Sequence, residues 1–255
     1  VVNAGWQPYS HGGRWIYSDY GWYWNSDYSW GWAPFHYGRW FSHPRWGWCW
    51  RPDTIWGPSW VSWRYTDAYC GWAPLPPAAY YTSGVGFSYY GSSVGMSFGF
   101  GLGWSSYSFV PWGHFRDHRP YRYCTPTHHA RDIYHNSTVV NNVIVGNNNR
   151  IINRGIGEDR IRRYTGTELK PVRVREERVT GQDSRLTPGD RLERGGRELV
   201  IRRPQLPQTP PHAPELTKGS REAPRAASAA SFTERRSSFA ARDPRAPSAP
   251  ATPGS

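Results

Sequence analysis

The chain is poor in the material from which a large hydrophobic core is built. Hydrophobic residues make up 37% of its 255 residues, whereas 27 are glycine and 23 are proline. Long stretches of such a composition cannot bury enough apolar surface to offset the entropy of the chain. The sequence also has no run of 18 or more apolar residues, so it predicts no integral membrane segment. We expect only part of the length to fold around a core.

Motifs of two large enzyme classes are missing as well. The sequence has no Gly-Lys loop that would cradle a phosphate and no dinucleotide-binding fingerprint. We therefore expect a non-enzymatic protein without a cofactor. Asp27 and Asp53, at matching places in a sequence repeat described below, leave a glycosidase with paired carboxylates as a less favoured alternative. Aspartate in such turn-forming sequences usually serves the turn itself.

Cysteine is scarce, with three residues, so at least one is unpaired. Cys49 and Cys70 stand at comparable places beside repeated tryptophans. A Cys49–Cys70 disulfide and free thiols are both open, because sequence does not show whether the two side chains meet. A disulfide would require an oxidising compartment.

Positive charge is confined to the later part of the chain. The formal net charge is +12, but residues 1–114 contain five arginines and four aspartates and are nearly neutral. This separation of aromatic from basic residues weakens a nucleic-acid interpretation. The later arginines are mixed with acidic residues, so we expect only weak contact with anionic polymers. The arginines in question are Arg150, Arg154, Arg160, Arg162, Arg163, Arg173 and Arg175.

Tryptophan, in contrast, is abundant and repeats. Fourteen of the 16 tryptophans lie between Trp6 and Trp72. The stretch 21–31 (GWYWNSDYSWG) returns 26 residues later as 47–57 (GWCWRPDTIWG), and a shorter copy follows at 71–74 (GWAP). A fixed period of this size is typical of repeated supersecondary units. Within each copy aromatic residues alternate with small or polar ones, which predicts short antiparallel strands.

The segment contains more tryptophans than a core of its size is expected to bury. Exposed rows of aromatic residues usually mark a binding face. We therefore expect some of them to form an aromatic platform that stacks on the apolar faces of a carbohydrate. The residues assigned to this platform are Trp22, Trp24, Trp32, Tyr37, Trp40, Trp48 and Trp50.

Three segments carry a family resemblance: 30–40 (WGWAPFHYGRW), 68–77 (AYCGWAPLPP) and 111–115 (PWGHF). They resemble an uncharacterised family of exported bacterial Trp-rich repeat proteins, some of which are coupled to FecR-type domains. The resemblance extends over roughly residues 6–204. It implies export, with a secreted, periplasmic or cell-surface location, and it implies no established activity.

Composition divides the rest of the chain into four segments. Residues 78–113 are rich in Gly, Ser and aromatics and are interpreted as a low-complexity linker after a Trp-rich domain at 1–77. Strict alternation at 98–104 and the lack of charge from 75 to 112 leave self-association of this linker as an alternative. Residues 137–204 predict a small basic β segment, with a hairpin around the Asn-rich turn 146–149. Residues 205–255 predict a disordered tail rich in Pro, Ala, Ser and Arg.

Residues 114–136 form a predicted loop that gathers histidines. The clustered side chains raise a metal hypothesis, but Pro120 and Pro126 interrupt any helix and no zinc-site spacing is present, so we expect no metal site. The potential ligands are His114, Asp117, His118, Cys124, His128, His129, Asp132 and His135.

The sequence therefore predicts an all-β, Trp-rich repeat protein that is exported and binds a polysaccharide or cell-wall polymer, such as peptidoglycan or exopolysaccharide. The rival interpretation is a self-assembling extracellular structural protein.

Overall fold

The computed structural model describes residues 5–82, 85–145, 151–179 and 189–204. These residues all fall in one compact unit. The predicted tail at 205–255, the Asn-rich turn at 146–149 and Arg150 lie outside the described residues. The described part contains sixteen strands and two α-helices, which confirms the all-β prediction.

The Trp-rich segment forms three antiparallel hairpins, and each copy of the repeat begins in the second strand of one of them. They are β1 (Gly13–Ser18) with β2 (Gly21–Ser26), β3 (Tyr37–His43) with β4 (Gly47–Trp56), and β5 (Val61–Tyr65) with β6 (Tyr69–Pro74). The first glycine of the two long copies opens the second strand of its hairpin. Gly21 has a φ of 77° and Gly47 a φ of 70°, values that glycine adopts without strain.

One predicted turn lies inside a strand. The stretch 51–53 (RPD) belongs to β4, beside an irregularity in the pairing between Tyr37 and Arg39 of β3. Proline is tolerated at such a bulge because no ladder hydrogen bond from its nitrogen is needed there.

Later segments complete the sheets that the hairpins begin. The first sheet has the order β1-β2-β13-β12, with β12 (Val143–Val145) and β13 (Ile151–Asn153) forming the predicted hairpin. The second has the order β10-β6-β5-β11, with β10 (Ser108–Pro111) and β11 (Thr138–Val140). A Cβ on Gly21 would lie 2.0 Å from the carbonyl oxygen of Asn153, so glycine lets β13 approach β2. Strands from beyond residue 77 therefore extend two of the sheets that residues 1–77 begin.

The predicted linker is also structured. Its first part forms a three-stranded sheet of β7 (Ala79–Thr82), β8 (Gly86–Tyr89) and β9 (Ser92–Ser93). The alternating stretch 98–104 is not a strand, because Phe100 turns the chain with a φ of 51° and buries its ring. Residues 78–113 thus join the core instead of separating two folded parts.

The predicted histidine loop contains helix α1 (Thr127–His135), and helix α2 (Glu158–Thr165) follows later. Pro126 directly precedes α1, a place where the missing N–H costs nothing. Pro126 therefore precedes helix α1 and does not interrupt it. Neither described α-helix is long and apolar enough to cross a membrane.

The basic β segment ends in a sheet of order β14-β16-β15, formed by β14 (Arg173–Val179), β15 (Arg191–Glu193) and β16 (Glu198–Pro204). Leu199 and Ile201 of β16 pack in one cluster with Tyr20, Tyr23 and Trp56. This sheet therefore covers the face of β2 that carries Tyr23.

The opposite face of β2 lies in the main core, where tryptophan rings pack on one another. The ring of Trp15 lies 5.1 Å from Trp24, 4.6 Å from Trp63 and 5.5 Å from Trp72. All four are at most 2% exposed. Several buried indole N–H groups donate to partners that are far away in sequence, for example Trp22 to the carbonyl of Ile156 at 3.0 Å. Residues beyond 77 thus supply much of the material that hides the tryptophans.

Candidate functional site

The predicted aromatic platform does not form as a surface. Trp22 and Trp24 are completely buried, Tyr37 and Trp40 are buried, and Trp32 and Trp48 are half-buried. Only Trp50, at 37% exposure, counts as exposed. The premise that the interior is too small for these rings is wrong, because β2 is covered on both faces by later segments of the chain.

Of the two alternatives left open for Cys49 and Cys70, the structure shows free thiols and not a disulfide. Cys70 is fully buried in the main core, whereas Cys49 is half-buried on the β3–β4 hairpin.

The histidine-rich segment does not gather into a metal site. Among the described residues, no group of three or more His, Cys, Asp or Glu side chains could hold a metal ion. His114 Nδ1 lies 2.9 Å from a carboxylate oxygen of Asp117, and its ring stacks on Tyr123 at 3.7 Å. These contacts occupy His114 within the protein.

Three of the later arginines contact acidic or aromatic neighbours. Arg162 pairs with Asp159 at 3.0 Å, and Arg175 pairs with Glu193 at 2.8 Å. The guanidinium of Arg160 lies 4.0 Å from the ring centroid of Tyr65. Such neighbours reduce the capacity of this surface for anionic polymers.

An open groove of about 540 Å³ brings together ring faces and opposite charges. Three places in the chain build it: the segment before β1, the turn that follows β2, and the 3-10 helix Pro120–Tyr123 with the residue before it. Its lining residues are Gly5, Trp6, His11, Gly12, Asp27, Tyr28, Arg119 and Tyr121.

Local hydrogen bonds fix the turn that carries Asp27 and Tyr28. The backbone N–H of Asp27 donates to the carbonyl of Gly12 at 2.7 Å, and that of Tyr28 donates to the Ser26 hydroxyl at 3.1 Å. A Cβ on Gly12 would lie 2.3 Å from the Tyr28 ring, so glycine leaves the space that this ring occupies. The turn that ends the first repeat hairpin is thereby held as one side of the groove.

The rings of the groove are positioned by contacts with one another. The indole N–H of Trp6 donates to the Tyr28 hydroxyl at 3.1 Å, and His11 stacks on Tyr121 with 4.8 Å between ring centroids. Tyr28 stacks almost parallel on Trp30, 4.6 Å away, and Trp30 is 44% exposed. The aromatic surface therefore continues outside the groove.

Charge in and beside the groove is balanced. The side chains of Asp27 and Arg119 are both exposed there. The guanidinium of Arg14 contacts His118. Partial burial lowers the pKa of Arg14, and the negative charge of Asp27 opposes this shift. Burial also lowers the pKa of His11, so its imidazole is neutral at neutral pH. The groove thus offers a hydrogen-bond acceptor at Asp27 and donors at Arg119.

Asp53 lines a different and much smaller cavity, of about 30 Å³, together with Arg39, Arg51 and Tyr80. One oxygen of its carboxylate accepts the backbone N–H groups of Thr54 and Ile55. Asp27 and Asp53 therefore do not flank one bond, as a glycosidase pair must.

The stretch 91–95 (GSSVG) fits the Gly-x-Ser-x-Gly pattern of serine hydrolases. That pattern places a nucleophile only where a strand turns sharply into a helix. Ser93 instead ends the two-residue strand β9 and is exposed. The pattern here lacks the structural context of a nucleophile.

A buried polar cluster joins the first repeat to the β14–β16 sheet. The Tyr23 hydroxyl donates to the Asp190 carboxylate, and His36 Nε2 lies 3.5 Å from the same oxygen. His36 Nδ1–H donates to the carbonyl of Gly57 at 3.0 Å, and the imidazole stacks on Tyr23 at 4.4 Å. His36 is 1% exposed and the Asp190 side chain 6%. A cluster this deeply buried stabilises the fold and is not accessible to a substrate.

Comparison with known proteins matches part of the chain. Residues 1–79 match a family of unknown function, DUF6600. The DUF6600 match contains all three repeat hairpins, and it includes Trp6, His11, Asp27 and Tyr28 of the groove but not Arg119 or Tyr121. No curated protein and no solved structure matches the chain.

Sequence reasoning singled out Asp27 but missed the other residues of the groove. Tyr28 directly follows Asp27 in the repeat, so its position at the same turn could have been predicted from the sequence. Nothing in the sequence indicates that Arg119 and Tyr121 return to the same turn from about 90 positions away.

The buried cluster predicts a defined dependence of stability on pH. Burial lowers the pKa of His36 below its ordinary value of 6.5, although Asp190 opposes the shift. The unfolded chain therefore takes up this proton first as the pH falls, and stability is lost from about pH 6.5 downward. We expect Tm to fall between pH 7.5 and 5.5, and to fall less steeply in His36→Phe, which retains a stacked ring. Equal slopes for the two proteins would contradict this assignment.

Proposed function

We propose that this protein binds a carbohydrate polymer of the cell envelope in the groove between the β2 turn and the segment 119–121, without catalysing a reaction. The observation that carries the proposal is the meeting of aromatic rings, a carboxylate and a guanidinium in one open groove. Its volume lies in the range of ordinary ligand sites. The family resemblance adds an exported, envelope-associated location to the proposal.

The side chains of the groove suit the two kinds of surface on a sugar ring. Tyr121 supplies large, rigid apolar area for the C–H faces of a sugar, because one face of Tyr28 is already stacked on Trp30. Asp27 accepts hydrogen bonds from hydroxyl groups, and Arg119 donates several in a fixed planar arrangement. The exposed ring of Trp30, stacked on Tyr28, extends the aromatic surface along a polymer that leaves the groove.

Substitutions in the groove test the proposal against matched surface controls. We expect soluble oligosaccharides of the peptidoglycan glycan strand to bind saturably, with Kd rising roughly tenfold in Asp27→Asn, Arg119→Ala or Tyr121→Ala, because each loses a hydrogen bond to a charged group or a stacked ring. Asp132→Asn and Arg122→Ala change exposed residues that do not line the groove and should leave Kd unchanged.

Isothermal titration calorimetry measures these affinities directly. Absence of saturable binding, or equal loss of affinity in the groove variants and the two controls, would refute the proposed site.

A second candidate function is self-assembly, and the exposed apolar patch around β8 and β9 favours it. Tyr90 is 78% exposed, Met96 62% and Phe98 36%. Tyr89 joins Tyr90 and Phe98 through ring contacts of 4.6 and 5.3 Å. The segment is free of charge from 75 to 112, so an identical surface on a second copy could cover the patch without repulsion.

Point substitutions test self-assembly better than a deletion, because Phe87 and Phe100 in the same segment are buried in the core. We expect the sedimentation coefficient of the unmodified protein to rise with concentration and that of a Tyr90→Glu/Met96→Glu variant to stay constant. Trp46→Glu serves as control, since Trp46 is 68% exposed on the β3–β4 hairpin. A monomer at all concentrations, or assembly that the double variant leaves intact, would reject this function.

A further inference from the structure

Two arginines face each other across the β3–β4 hairpin. Arg39 of β3 is directly opposite Arg51 of β4 in the pairing register, so both side chains project from the same face of the ribbon. Arg39 is 4% exposed, whereas Arg51 is exposed. Like charges directly opposite each other destabilise a sheet, and a buried charge is unfavourable unless it is compensated. The hairpin therefore carries positive charge that packing alone does not explain.

The guanidinium of Arg39 is held in a fixed position without a close counter-charge. Its Nε–H donates to the carbonyl of Ala79 at 3.0 Å and its Nη1–H to that of Gly38 at 2.9 Å, and its central carbon lies 3.8 Å from the ring centroid of Trp60. Among the described residues, no acceptor bonds its Nη2 and no carboxylate forms an ion pair with it. Burial lowers the pKa of Arg39 to about 10, so the group is still charged at neutral pH. One nitrogen of a fixed cation is thus left for a ligand.

The bulge of the hairpin builds the small cavity that both arginines line. Gly38 has a φ of 101°, and a Cβ there would lie 2.1 Å from the carbonyl oxygen of Arg51, so glycine lets the stretch 51–53 approach β3. Asp53 also lines the cavity, but one oxygen of its carboxylate already accepts two backbone N–H groups. Two guanidinium groups and one carboxylate leave a net charge of +1 at the cavity. Its electrostatics therefore favour one monovalent anion.

The size and lining of the cavity restrict the class of this anion. The volume is about 30 Å³, and one water-sized atom needs about 10–15 Å³, so the two oxygens of a carboxylate fit but a phosphate or a sugar ring does not. The planar guanidinium matches the geometry of a carboxylate. Pro52, Pro77 and Tyr80 line the same cavity, and Tyr80 is 37% exposed. These apolar groups suit an aliphatic substituent beside the carboxylate better than the hydroxyl-rich ring of a uronic acid.

We propose that this cavity binds the carboxylate at the end of a chain, such as the free C terminus of a peptide, with Arg39 and Arg51 as its two cationic partners. Nη2 of Arg39 and the guanidinium of Arg51 donate to the carboxylate oxygens, and the adjoining aliphatic group lies against Tyr80. The bound charge offsets the repulsion between the two arginines. The cavity shares no lining residue with the groove, so this inference does not depend on carbohydrate binding there.

The Nε–H group of Arg39 reports on the site directly, because its hydrogen bond to a buried carbonyl slows its exchange with water. The full chain, labelled with ¹⁵N at arginine, is titrated with the sodium salt of N-acetylalanine and followed by NMR. The control is N-acetylalanine amide with the same concentration of sodium chloride. We expect the ¹H and ¹⁵N shifts of this group to move saturably with the carboxylate and to stay constant in the control. A response to neither, or an equal response to both, would overturn the site.

Substitutions separate the arginine pair from a general effect of charge. We expect the Kd for N-acetylalanine to rise about tenfold in Arg51→Gln, which loses a charged donor, and to fall in Asp53→Asn, which loses the negative charge of the cavity but keeps an acceptor oxygen. Arg45→Gln changes an exposed arginine of the β3–β4 turn that does not line the cavity, and should leave Kd unchanged. Equal effects of Arg51→Gln and Arg45→Gln would refute the role of the pair.

Glucuronate distinguishes the two sources of a carboxylate. We expect it to bind more weakly than N-acetylalanine, because its ring brings hydroxyl groups against the apolar lining of the cavity. Equal or tighter binding of glucuronate would overturn the assignment to a chain end.

Discussion

The packing of indole rings between the repeat hairpins and the later strands is the interaction on which the rest of this structure depends. An isolated two-stranded hairpin is marginal in water, and none of the three hairpins has an apolar interior of its own. Trp15, Trp24, Trp63 and Trp72 fill one shared core, and removal of a fully buried ring of this size typically costs about 3–5 kcal/mol. The strands β10, β11 and β13 extend the sheets from which these rings project.

This use of tryptophan for packing decides where recognition can occur. Most rings of the repeats pack in the interior, and the exposed ones are Trp30 after β2, Trp46 in the β3–β4 turn and Trp50 within β4. The end of the first hairpin is the place where a distant segment adds Arg119 and Tyr121 and closes a groove. The first repeat, whose rings mainly pack the core, thereby also supplies one side of the proposed binding site.

Local features of the fold were predictable from the sequence, and features that depend on distant segments were not. Alternation of aromatic and small residues gave the strands, and Gly21 and Gly47 mark the hairpin turns because their φ values are positive. Burial of Trp22 could not be inferred, since Ile156 and Phe115, which contact it, lie far away in sequence. The alternation of aromatic residues with glycine at 98–104 suggested a strand, but Phe100 has a positive φ and turns the chain. Of the groove, the sequence indicated Asp27 and gave no signal for Arg119.

Hydrogen exchange of the indole N–H groups, followed by NMR on protein labelled with ¹⁵N at tryptophan, tests the central claim most directly. The indole groups of Trp22, Trp60, Trp63 and Trp72 donate to buried acceptors at 2.8–3.1 Å, whereas Trp30 and Trp46 are exposed. The account predicts that the first four exchange only when the core opens and that the last two exchange at once. Exchange of all six at similar, fast rates would contradict it, because the tryptophans would then form a surface and not a core.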